Sequence, residues 1–162
     1  MQAFFQYNWM IRDQWYAWCE TVPEEELLRQ RTGGMGSILK NLFHIVDVEW
    51  SWIRLLEGKT EFQEDFDQFN SLEKVKALDV ELRPEVKAYV EAWNSEMDSL
   101  PLVLPQEDGE VEILAAGEVM RHVIAHQIHH IGQLSVWSRE LGKKPISPNL
   151  IGNALIKPQQ QK

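Results

Sequence analysis

Residues 122–134 read HVIAHQIHHIGQL. His122, His126 and His130 follow one another at i, i+4, and a helix stacks such positions on one face. The apolar residues around them, Val119, Val123, Leu134, Trp137 and Leu141, recur at helical spacing. His126 and His130 fall inside that apolar stripe, whereas Arg121 and Arg139 mark the solvated side. His129 is turned off the row by about 100°. The spacing predicts a long helix over about 115–141, closed by Gly142, with Lys143 and Lys144 at its negative end. Ala115 and Ala116 stand where a capping Ser or Thr is expected, so this start is less well defined.

Outward from this helix, LVL (102–104) and VEIL (111–114) flank PQEDGE with its Asp-Gly turn signal, which predicts a short β-hairpin. Ser71 opens a long helical pattern through Leu72, Val75, Leu78, Leu82, Val86, Tyr89, Trp93, Met97 and Leu100. Pro84 is expected to kink or split it, and Pro101 to stop it. Residues 58–70 read as an acidic loop with aromatics. Ser37 caps a helix over about 37–57, closed by Gly58. This helix is apolar nearly all round, with a polar strip of Lys40, Asp47 and Arg54, so it must be central or flanked by another subunit. RQRTGGMGS (29–37) has three glycines but no GK[ST] and no preceding strand pattern, so it reads as a flexible connection. A first helix places Phe4, Asn8, Ile11, Trp15, Trp18 and Val22 on one face, with Asn8 as a polar interruption, and ends before Pro23. Four long helices with one hairpin excursion make an all-α, four-helix bundle. The bundle is expected over 1–145, and 146–162 form a C-terminal extension broken by Pro148 and frayed at KPQQQK.

The composition agrees. A chain of 162 residues, 44% hydrophobic, suits one domain with a real core and excludes a disordered tail. Sixteen Lys and Arg against 25 Asp and Glu give a net charge of −9, which argues against nucleic acid and anionic membranes as partners. The lone Cys19 cannot form an internal disulfide, which fits a reducing compartment. No apolar run reaches the roughly 18 residues of a membrane span. The start, MQAFFQYNWMIRDQW, has no signal-peptide pattern, so a cytoplasmic location is expected.

Buried imidazoles need partners, and a metal ion is one. His44 sits on the second long helix at the edge of its polar strip. If that helix adjoins the last one, His44 faces the histidine row. Three neutral imidazoles with open positions make a catalytic type of metal geometry. Without a cysteine or a required carboxylate, Zn²⁺ or Ni²⁺ suits such donors best; Fe²⁺ is admissible, and Ca²⁺ and Mg²⁺ are disfavoured. The HxxxH spacing alone is weak, because histidine pairs on helices are often solvated or hydrogen-bonded. Other residues have blander readings. Glu49 lies in the apolar arc, as a base near a metal or, more simply, the partner of a polar group at a helix or subunit contact. Asp47, one turn from His44, reads as solvated. Asn8 reads as a break in the seam, Cys19 as a packing residue, and most of the seven tryptophans as core or dimer packing.

HVIAHQIHHIGQL resembles the last-helix signature of the DinB/YfiT-like family of metalloenzymes, a pattern like HxxxHxxxHRGQ. SILKNLFHIVDVEWSWI (37–53) resembles that family's second helix with its single histidine, and the element order also matches. The resemblance covers roughly 1–145. It implies metal ligands at His44, His126 and His130, with water or substrate completing the shell and His122 outside it. Gly132 and Gln133 match the signature, whereas Ile131 replaces its arginine. It also implies a homodimer. Relatives of this kind use low-molecular-weight thiols, which points to a bacillithiol-type S-transferase acting on a small electrophile. The alternatives are a non-catalytic metal-binding or small-molecule-binding bundle, and a bundle whose histidines only hydrogen-bond.

Overall fold

The computed structural model describes residues 1–60, 65–106, 108–153 and 155–156. Its helices are α1 (Gln2–Cys19), α2 (Glu24–Leu28), α3 (Ile38–Leu56), α4 (Leu72–Ala92) and α5 (Ala116–Glu140). A hairpin, β1 (Pro101–Pro105) and β2 (Val111–Ala115), precedes α5. The expected helical bundle with a hairpin is what forms.

Local chemistry sets most boundaries. The Ser37 hydroxyl accepts from Lys40 N at 3.1 Å and starts α3. Gly58, at φ +71°, lets the chain turn so that Lys59 N reaches Arg54 O at 2.9 Å. Ser71 caps α4 in the same way through Lys74 N. Ala115 gives α5 no side-chain cap; instead Ala116 N reaches Leu100 O at 2.8 Å. The hairpin pairs Val103 with Ile113 across an antiparallel ladder.

Two expectations about α4 need correction, and one element is added. The pattern toward Leu100 is not one helix: α4 ends at Ala92. Trp93 turns extended, and the Asn94 side chain accepts from Glu96 N to open a separate 3₁₀ turn, Ser95–Ser99. Trp93 and Met97 still pack on the core, which kept the apolar spacing going past the break. Pro84 does not split α4, which runs unbroken through it. Before the glycine loop lies α2, which the sequence reading passed over; Pro23 precedes it and Glu24, Glu25 and Glu26 fill its first turn.

α3 packs against α4 and α5, and α1 packs against the same two, so the bundle runs α1–α4–α3–α5 around its axis. α2 and the 3₁₀ turn Phe66–Phe69 also cover α3. Phe43 meets Phe66 and Phe69 at ring-centroid distances of 5.4 and 5.6 Å. Much of the apolar surface of α3 is thus covered within one chain, while Val48, Trp52, Leu55 and Leu56 stay half-buried. Asp47 is buried, 8% exposed, and not solvated as its place on the polar strip suggested. Six tryptophans (Trp9, Trp15, Trp18, Trp50, Trp93 and Trp137) are buried core residues.

Each long helix contributes a side chain to one buried polar cluster: Arg12, Glu49, Asp79 and Gln127. Arg12 Nη2 donates to Glu49 Oε1 at 2.8 Å and to Asp79 Oδ1 at 3.1 Å. Its Nε lies 3.0 Å from Asp79 Oδ2 as an ion contact, not an aligned hydrogen bond. Tyr16 Oη and Arg83 also donate to Asp79, and Trp9 Nε1 donates to Glu49. Burial pushes the Asp79 carboxyl up, but Arg12 and Arg83 outweigh it and hold the group below the usual carboxylate range.

Beyond α5 the chain returns along α1. Trp18 Nε1 donates to Lys144 O at 3.1 Å, and Tyr7 Oη donates to Pro148 O at 2.7 Å. The tail expected to fray, 157–162, lies outside the described residues. No helix among the described residues is long and apolar enough to cross a membrane.

Candidate metal centre

The adjacency of α3 and α5 brings His44 against the histidine row. His126 Nε2 lies 3.1 Å from His44 Nε2 and 3.1 Å from His130 Nε2. One ligand atom from each of the three residues falls within 4.8 Å of the other two. Tetrahedral coordination at about 2.0–2.1 Å per nitrogen sets neighbouring donors roughly 3.4 Å apart. The observed separations therefore suit one ion held by three imidazoles.

The electrostatics suit it as well. Burial, reinforced by His130 and Lys40, pulls His44 down to about 4. Burial and the neighbouring histidines pull His126 down to about 3. Burial also lowers His130, against the raising effect of its bond to Gln133. At neutral pH all three are uncharged, the state in which imidazole binds metal.

The other two histidines stay outside the trio. His122 is exposed, with its ring 5.9 Å from Trp52 and 5.8 Å from His126. His129 is exposed and pairs with Gln133 through Nε2 at 2.9 Å. Glu49 is engaged by Arg12 and Trp9, so it is the partner of a polar group at a helix contact. Asn8 is fully buried; its side-chain Nδ2 donates to Ile124 O, and its backbone carbonyl accepts from Gln127 Nε2. Cys19 is buried and free, and burial pushes its thiol up to about 12, which fits packing and not nucleophilic attack. Ile131, at the arginine position of the signature, fills the core at 3% exposure.

Sequence reasoning passed over Asn41. Its Oδ1 lies 2.9 Å from His130 Nδ1, and its Nδ2 donates to His130 O at 3.0 Å. Gln133 Oε1 lies 2.7 Å from the same Nδ1. The available signal was Asn41 itself, a polar residue within the apolar arc of α3 and one turn before His44.

Comparison with known proteins agrees with this arrangement. The chain is 44% identical over 155 residues to the uncharacterized protein YizA of Bacillus subtilis (strain 168), an alignment covering 96% of each chain. The model of the DinB family matches residues 1–161. With its helical bundle, its hairpin before the last helix and its three gathered histidines, this chain belongs to the DinB family.

Proposed function

We propose that His44, His126 and His130 hold one divalent transition metal, zinc or nickel by the character of the donors, in an enzyme that transfers a low-molecular-weight thiol to a small electrophile. The observation that carries the metal is the convergence of three uncharged imidazole nitrogens at coordination spacing. Among the described residues no fourth histidine, cysteine or carboxylate joins the group, which leaves a position for water or substrate. When bound, the metal supplies Lewis acidity that lowers the pKa of a coordinated thiol toward neutrality.

The chain's own residues supply the rest of the site. Buried His130 anchors the donor set, while half-buried His44 and His126 border the accessible side. Val48, Trp52 and Leu55, all half-buried, follow His44 along the same side of α3 and offer an apolar wall to a substrate. The thiol reading draws its support from DinB family membership together with this donor set.

Elemental analysis of protein purified without a His-tag or chelating column tests the site. Near one metal per chain is expected, lost in His44→Ala, His126→Ala and His130→Ala. No metal in the native protein, and none after Zn²⁺ or Ni²⁺ is offered, overturns it. Addition of a low-molecular-weight thiol to the Co²⁺-substituted protein tests the reaction class. An unperturbed spectrum, with no transfer to a model electrophile, removes the thiol reading and leaves a metal-binding bundle.

A further inference from the structure

His130 is held from behind more tightly than packing alone requires. Its Nδ1 faces two side-chain oxygens, Asn41 Oδ1 at 2.9 Å and Gln133 Oε1 at 2.7 Å. Both are acceptors, so the proton that satisfies them sits on Nδ1, and Nε2 keeps its lone pair. The Asn41 orientation is fixed independently: its Nδ2 donates to His130 O, a carbonyl that can only accept. Gln133 Nε2 lies 2.9 Å from His129 Nε2, a ring nitrogen that can donate or accept. Flipping Asn41 would turn an NH₂ group toward Nδ1 and give up its bond to His130 O.

The roof over this pair is also specific. The loop 31–36 is tied back on itself by Arg31 N to Gly36 O at 2.7 Å, and to α5 by Trp137 Nε1 to Thr32 O at 3.2 Å. Gly34, at φ +51°, lies so close that an added Cβ would stand 2.6 Å from Gln133 Oε1, 2.8 Å from Trp137 and 3.0 Å from Asn41 Oδ1. Met35 N approaches Asn41 Oδ1 at 3.4 Å. The glycine loop therefore has a role that a flexible connection would not have. It lies against the oxygens of the two amides, where no side chain would fit.

We propose that Asn41 and Gln133 are positioning residues that lock His130 in its Nδ1–H tautomer, beneath the Gly34 turn, so that Nε2 is presented to the metal. Asn41 and His44 stand one turn apart on α3. One helix thus grips the His130 ring at Nδ1 through Asn41 and brings a second imidazole to its Nε2 side. Hydrogen-bonded partners of this kind orient a ligating ring and raise its basicity, and their loss typically weakens metal binding about 10–100-fold. The inference rests on the metal reading above, yet the tautomer can be read without any metal.

The test uses the full chain as wild type, Asn41→Leu, Gln133→Leu, the double variant and Asn41→Asp. Long-range ¹⁵N–¹H NMR of the metal-free protein reports which His130 nitrogen carries the proton. Wild type should show protonated Nδ1 and bare Nε2, and the double variant a mixture of tautomers. Zn²⁺ affinity against a competing chelator should fall about 10–100-fold in Asn41→Leu. Asn41→Asp, which keeps the acceptor, should recover most of that loss and shift the Co²⁺ absorption bands. An Nε2–H tautomer in wild type overturns the inference. So does a folded double variant with unchanged tautomer and affinity. If the tautomer behaves as stated but wild type binds no metal, the metal reading fails and the positioning of His130 stands.

Discussion

Arg12→Leu tests how the centre of the bundle is held together. The Arg12 side chain is fully buried and faces two carboxylates whose side chains are 4% and 2% exposed, Glu49 and Asp79. The two acids are not equally dependent on it. Asp79 keeps Arg83 and the Tyr16 hydroxyl, whereas among the described residues Glu49 keeps the Trp9 indole alone. Removing Arg12 therefore leaves one buried carboxylate without a compensating charge. Breaking a buried pair in this way costs about 3–5 kcal/mol. For a domain of this size that is a fall in Tm of roughly 6–20 °C. The loss should be recoverable: Glu49→Gln in the same background removes the orphaned charge while its amide oxygen still accepts from Trp9. It should restore roughly half of the lost stability. Asp79→Asn should restore much less, because Arg83 already neutralises that acid. Urea unfolding followed by far-ultraviolet circular dichroism measures all three variants against wild type. A loss below about 1 kcal/mol for Arg12→Leu, or a Glu49→Gln change that deepens the loss, would refute the reasoning.

Other consequences can be checked separately. In the metal-free protein His44 and His126 sit at about 4 and 3, below the ordinary 6.5 of an unfolded chain. Their contribution is fully present above 6.5 and is lost as the pH falls, because only the unfolded chain then takes up those protons. The urea midpoint should begin to drop near pH 6.5 and keep dropping toward pH 4, and the drop should flatten in a His44→Asn, His126→Asn variant; a midpoint that rises with acid contradicts this. Cys19, with its thiol buried and its pKa near 12, should react with a thiol reagent only as the chain unfolds. Rapid labelling of the native protein would contradict that. Gly34→Ala puts a Cβ into the space occupied by Gln133 and Trp137 at a positive φ. It should cost about 1–3 kcal/mol and weaken Zn²⁺ binding, as read by calorimetry of unfolding and chelator competition. Sedimentation decides directly between an 18.9 kDa species and a homodimer.

The apolar stripes of α1, α3 and α5, with Ser37 and Gly58 as boundary signals, were enough to read the bundle, since helical period and caps are local properties. The end of α4 was not readable. Trp93 and Met97 pack on the same core before and after the break, so periodicity alone could not show the chain leaving the helix. The histidine row was legible, and its junction with His44 depended on which helices are neighbours, a long-range fact. The central charges had a local trace. Asp79 sits between Val75 and Leu82 on the apolar stripe of α4, one of two acids that Arg12 meets in the core. Their pairing becomes visible only when four helices are laid side by side. Asn41 was hidden because a polar residue in an apolar arc does not say which distant ring it grips.

The strand of chain that follows α5 lies along α1, and this gives the molecule a late-closing seam. Gln127 reaches back 119 positions to Asn8, and Tyr7 reaches forward 141 positions to Pro148. Chains whose contacts span such separations fold more slowly than bundles wired between sequence neighbours. Lys144 and Pro148, which hold Trp18 and Tyr7, are made after α3, α4 and α5, so this edge of α1 is covered later than the face that carries Arg12, whose partners lie on α3 and α4. Once shut, the seam should behave as one cooperative unit. Backbone amides of α1 and the Trp18 indole proton tied to Lys144 should exchange with solvent together, on the slow timescale of global opening.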